Sequence, residues 1–109
     1  MPAVRPTPLI DLELQIHAAE RLLFTEHKPA TTIEILDPLL QDYDRWSLSD
    51  VTRYRLIGEA RPYLLYLLGL AYEMNGEQAQ AVQAYWTLWN DFPLHPLSYL
   101  VQQKLELVN

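Results

Sequence analysis

The chain has 109 residues, a net charge of −6, 50% hydrophobic residues and no cysteine. That length fits one domain able to bury a core without cross-links, and the missing thiols exclude disulfides and thiolate metal sites. Fourteen acidic residues against eight basic ones leave no basic excess for a duplex, so nucleic acid is not an expected partner.

Only three glycines, with much Leu, Ala, Glu and Gln and no clean alternation, predict an all-α chain. The opening residues, MPAVRPTPLID, lack the apolar stretch of a signal peptide. Residues 1–7 read as a flexible lead-in, or as the scar where a domain was cut from a longer chain. Thr7 and Pro8 suit an N-cap followed by proline at the first helical position. A first helix then runs to near His27, before Pro29, with Leu9, Leu12, Ile16, Ala19, Leu22 and Leu23 on its apolar stripe. Asp11 and Glu13 sit early, where the helix dipole favours negative charge. A second helix is expected over 31–43, opened by a Thr31–Glu34 capping box and buried through Ile33, Leu36, Leu39 and Leu40. Pro38 removes one donor inside it and should bend it. Residues 8–43 thus form a first hairpin.

Residues 44–61 fit this pattern poorly and read as an insertion or a short helix. The run PYLLYLLGLAY at 62–72 follows. Closed by Arg61 and Glu73, it falls short of the ~20 apolar residues that span a bilayer, so membrane insertion is not expected. A helix over 62–75 starts at Pro62 and stops at Asn75-Gly76. The next, over 77–91, turns Ala81, Val82, Tyr85, Leu88, Trp89 and Phe92 toward its neighbours until Pro93 ends it. Pro96 opens a last helix, within 96–109, whose Tyr99, Leu100, Lys104, Glu106 and Leu107 make a partly polar amphipathic surface.

Leu65-x2-Leu68-Gly69-x2-Tyr72, Ala81-x3-Tyr85 and then Pro93 resemble the tetratricopeptide repeat, with Leu65 in place of its tryptophan. The period of 34 recurs, since Pro62-x2-Leu65 is followed by Pro96-x2-Tyr99. Small residues belong where the helices of one hairpin approach (Gly69, Ala81) and large ones where hairpins meet (Tyr72, Tyr85). The resemblance implies a right-handed α-solenoid fragment: a degenerate first hairpin at 8–43, one full repeat at 62–95 and a capping helix at 96–109. Glu20 departs from it, standing where a small residue is usual. Two repeats are fewer than the three such arrays usually need, which points to self-association or to neighbours supplied by a parent chain.

The resemblance also implies a concave groove lined by Tyr63, Tyr66, Leu67, Leu70 and Glu73. Some members of the family hold a partner's C-terminal carboxylate with Lys, Arg and Asn there. Tyr66 and Leu70 at those places suit an apolar or aromatic segment better, such as a partner's helix. The residues leave open that all of these side chains are core beneath the first hairpin.

Glu13, His17 and Glu20 share a helix face at ligand spacing, but a bundle metal site needs partners from other helices. Arg45, Arg53, Arg55 and Arg61 gather positive charge that suits either an acidic peptide or nearby carboxylates. Trp86 falls on the outward side of its helix and is the aromatic residue expected to meet another chain. No nucleophile with a base, no phosphate loop and no paired catalytic carboxylates appear. The sequence therefore predicts a non-catalytic protein-interaction module without a cofactor, expected in the cytoplasm. A homo-oligomerisation element and, further off, a metal-binding helical domain are the alternatives.

Overall fold

The computed structural model describes residues 8–41 and 60–108. The lead-in, the Thr7 cap, Arg45, Arg53, Arg55 and almost all of the expected insertion lie outside them. The described residues form five α-helices: α1 Pro8–Glu20, α2 Pro29–Gln41, α3 Arg61–Met74, α4 Gln78–Asp91 and α5 Pro96–Val108. A π-helical segment, Arg21–Thr25, continues α1. There is no strand among them, so the class is all-α. Among the described residues no helix is long and apolar enough to cross a membrane.

Two of the helix ends differ from expectation in an instructive way. The first helix does end ahead of Pro29, but through a widened turn in which the Glu26 N–H donates to the Arg21 carbonyl at 2.9 Å and the Lys28 N–H to the Leu22 carbonyl at 2.7 Å. His27 closes this turn at φ +54°, a left-handed conformation in which His is more at home than most side chains. Pro29 then starts α2 instead of merely preceding it, because a proline costs nothing at a first helical position. The helix therefore begins two residues before the expected Thr31, and the Thr31–Glu34 capping box does not form. Instead the buried Thr32 hydroxyl donates to the Lys28 carbonyl at 2.9 Å. Pro38 lies inside α2, as expected.

The other boundaries follow the residues. Past Met74 the chain makes a Schellman turn: Gly76 at φ +79°, Glu77 N–H to the Tyr72 carbonyl at 2.8 Å and Gly76 N–H to the Glu73 carbonyl at 3.1 Å. At the start of α5 the His95 ring serves as the cap, its Nδ1 accepting the Leu97 N–H at 3.1 Å. The Ser98 hydroxyl donates to the Phe92 carbonyl at 2.5 Å and ties that cap to the end of α4.

Apolar burial is organised in two clusters that share α3. The first joins Ala19 and Leu23 of the first helical stretch and Leu36 and Leu39 of α2 to Leu64, Leu67, Leu68 and Ala71 of α3. The second joins Leu65 of α3 to Ala81, Tyr85 and Leu88 of α4 and Val101 and Leu105 of α5. Each fully buried leucine contributes about 1.5–3 kcal/mol, and α3 supplies side chains to both clusters. A helix apolar on nearly every side belongs at the centre, which is where PYLLYLLGLAY lies. On α5 the buried positions are Ser98, Val101 and Leu105, whereas Tyr99 and Leu100 are exposed. Tyr99 and Leu100 thus lie on the partly polar surface expected of that helix, and its packed face is the one that carries Val101 and Leu105.

Candidate functional site

The six residues singled out in the sequence do not share one surface. Leu67 is fully buried in the cluster between α2 and α3, which corrects its assignment to a groove. The reason is angular: at about 100° per residue it falls on the same side as Leu64 and Ala71, the side covered by the first hairpin. Tyr63 and Leu70 pack half-buried on that same cluster. The Tyr63 hydroxyl donates to Glu20 Oε2 at 2.6 Å, joining α3 to α1. Burial first, then this hydrogen bond and the Glu20 charge, push the Tyr63 pKa up. Glu20, the residue out of place in the repeat pattern, thus supplies a polar tie between hairpins.

Tyr66 and Glu73 turn the other way. Tyr66 packs on the second cluster, its ring centroid 6.4 Å from that of Tyr85. Glu73 pairs with Lys104 of α5 at 3.3 Å, and the Lys104 ammonium also lies 5.7 Å from the Tyr85 ring centroid. Beneath them Tyr85 presses directly on Gly69: a Cβ built on that glycine would stand 2.2 Å from the tyrosine ring. Only glycine permits α3 and α4 to approach this closely. The Tyr85 hydroxyl is buried with no hydrogen-bond partner among the described residues. Burial pushes its pKa up first; next comes the Glu73 carboxylate, which approaches the hydroxyl as an acceptor without reaching good hydrogen-bond geometry, and then its charge.

The open space lies on a different edge of α3. A cleft of about 390 Å³ runs between α2 and α4, with α3 as its floor. Leu65 and Leu68 of α3, Ala84 of α4 and Leu40 of α2 give it an apolar base, and Gln80, Gln83 and Thr87 of α4 form one wall. Arg61 stands toward the start of α3, while Asp37 and Tyr72 also line the cleft. The Arg61 Nε is buried and has no hydrogen-bond partner among the described residues. Burial raises the Tyr72 pKa, as do the Asp37 and Glu77 charges. None of the six singled-out residues lines this cleft. Of its α3 residues, Arg61 was visible in the sequence as one of four gathered arginines and Leu65, Leu68 and Tyr72 only as packing positions, while Gln80, Gln83 and Thr87 carried no signal that distinguishes them from a solvated helix face.

Trp86 is 47% exposed and meets Trp89 edge to face, with ring centroids 5.7 Å apart. His17 pairs with Glu20 at 3.1 Å, so both Glu20 oxygens are engaged, one by His17 and one by Tyr63. Among the described residues no group of three or more His, Cys, Asp or Glu side chains is placed to hold a metal ion. Comparisons with protein-family models, with curated proteins and with solved structures find no match to this chain.

Proposed function

We propose that this chain is a non-catalytic protein-interaction module, a tetratricopeptide-like solenoid fragment of two hairpins and a terminal helix that receives a partner's helix or peptide. The observation that carries the reading is the 390 Å³ cleft between α2 and α4, which combines an apolar base with polar walls as recognition sites do. The repeat-like pattern adds support through Gly69, a small residue where α4 comes close to α3, although the side chain it meets is Tyr85, which that pattern puts between hairpins. On this reading the partner sits on the cleft edge of α3 and not on the Tyr63–Tyr66–Leu70 edge.

Capture of partners from native cell extract tests it. Gln83→Trp, at an exposed position on the cleft wall, should abolish specific capture, whereas Tyr66→Ser with Leu70→Ser should leave it intact. The opposite result would move the site to the other edge of α3, and capture unaffected by either change would sink the reading.

Exposure of Trp86 beside Trp89 favours a second reading, in which the domain pairs with another copy of itself. Light scattering across a dilution series decides it. A dimer that Trp86→Ala dissociates supports self-association, and a monomer at every concentration removes it.

A further inference from the structure

Charge is almost absent from one stretch of this acidic chain. From Gln78 to Gln103, through α4 and most of α5, the only formally charged residue is Asp91, although 20% of the whole chain is charged. The same stretch carries four of the seven large apolar side chains left exposed among the described residues: Trp86, Leu94, Tyr99 and Leu100. Helix geometry brings two of them to one side. Trp86 meets Trp89 edge to face, and Trp89 packs on the cluster that holds Val101 and Leu105 of α5, so Trp86 stands on the flank of α4 next to α5. Lys104 of α5 reaches Glu73 of α3. At about 100° per residue, Tyr99 and Gln102 lie roughly 140–160° around from it, on the flank next to α4. The one charge is turned away, since Asp91 lies about 140° around α4 from Trp86. Glu106 bounds the surface toward the far end of α5, where the Gln102 amide donates to it at 3.5 Å.

This lack of charge selects the occupant. Two copies of a chain with net charge −6 repel each other, and the repulsion is least where the facing surfaces carry no charge. Depletion of charge with enrichment in Trp and Tyr is also the composition of interface cores. Gln amides both donate and accept, so a surface of aromatic rings and amides can meet its own copy, whereas an acidic or basic partner finds no ion to pair with there. We infer that the outer face of α4 and α5, centred on Trp86 and Tyr99, pairs with the same face of a second copy across a two-fold axis. The inference rests on the self-association reading above and adds the face and its symmetry. Gln80 and Thr87, which line the cleft, lie about 100–120° around α4 from Trp86, so this pairing leaves the cleft open.

The test measures the dimer dissociation constant of the full chain by sedimentation equilibrium. Trp86→Ala and Tyr99→Ser should each weaken the dimer by about tenfold or more, the scale of a central interface aromatic, with helicity by circular dichroism as the control for folding. Gln103→Glu and Gln103→Lys, at an exposed position beside Tyr99, should each weaken it through like charges brought together, and mixing the two variants should restore it. Raising salt from about 50 to about 500 mM should leave the dimer intact or tighten it, because screening removes repulsion between the copies.

A dimer unaffected by Tyr99→Ser, or Gln103 variants that do not recover on mixing, would overturn the two-fold face while leaving self-association standing. A dimer that dissociates as salt rises would overturn it in favour of an interface held by ion pairs. A monomer at every concentration would remove self-association itself, and this inference with it.

Discussion

Two edges of α3 can be set against each other. One carries Tyr63, Tyr66 and Leu70, the other Arg61, Leu65, Leu68 and Tyr72, and at about 100° per residue they lie roughly half a turn apart. Both look apolar in sequence. In the structure the first edge is hemmed in: Leu67 beside it is buried against α2, Tyr63 is tied to Glu20, and Glu73 is tied to Lys104. The second edge lies at the bottom of an open cleft. A helix at the centre of a stack is apolar all round, so its own residues do not say which side stays open. That is decided by the spacing of its neighbours.

The sharpest way to break this contrast is at Leu67 and Leu70. Leu67→Ala should cost about 2–5 kcal/mol, the range for a fully enclosed leucine, whereas half-buried Leu70→Ala should cost well under half as much. Urea unfolding of both variants checks this, and similar losses would mean that the two residues share one environment. Next comes the contact that joins α3 to α4. Gly69→Ala should destabilise by about 1–3 kcal/mol despite the better helix propensity of alanine, because the added methyl meets the Tyr85 ring. Tyr85→Leu should relieve part of that loss, so the double variant is more stable than the two single changes added together.

Tyr85 also sharpens the contrast through pH. Its folded-state pKa is raised above the ordinary value near 10, so the folded form holds its proton where the unfolded form loses it. Stability is therefore fully present below about pH 10 and falls above it, by up to about 1.4 kcal/mol per pH unit for one such group. Tyr85→Phe should be close to neutral at pH 7, since the hydroxyl it removes is buried and unpartnered, and should flatten the alkaline fall. Tyr63, also raised, accounts for part of the remainder. Denaturant titrations between pH 8 and about 11 read both effects. The smallest effect expected is at the far end of the first hairpin: His27→Gly removes a left-handed non-glycine residue and should stabilise by a few tenths of a kcal/mol up to about 1, read as a rise in Tm.

Much of the architecture was legible because prolines and Asn75-Gly76 mark helix ends through their own backbone limits, independent of the fold. Pro96 opens α5 and Pro93 follows α4 for this reason. Pro29 was ambiguous, since the same ring that stops one helix starts the next. The π-helical turn at Arg21–Thr25, which carries the buried Leu23, leaves no mark in the residues. At the candidate site, exposure of Trp86 agreed with its place on the helix wheel. The cleft did not emerge from the sequence because it is the gap between α2 and α4, two helices whose separation no residue of either records.

The close seating of Tyr85 on Gly69 has a consequence for the order in which the chain folds. The two residues are sixteen positions apart, and α3 and α4 are joined by the short link Asn75–Glu77, so closing this hairpin costs little loop entropy. The first hairpin instead reaches α3 across the whole of 42–59. Local contacts form early when topology governs speed, so the α3–α4 pair is expected to nucleate the domain and the first hairpin to dock afterwards. Kinetic φ-values near one at Ala81 and near zero at Leu36 would record that sequence of events. A Gly69 substitution would then slow folding itself, whereas changes in α2 would mainly hasten unfolding.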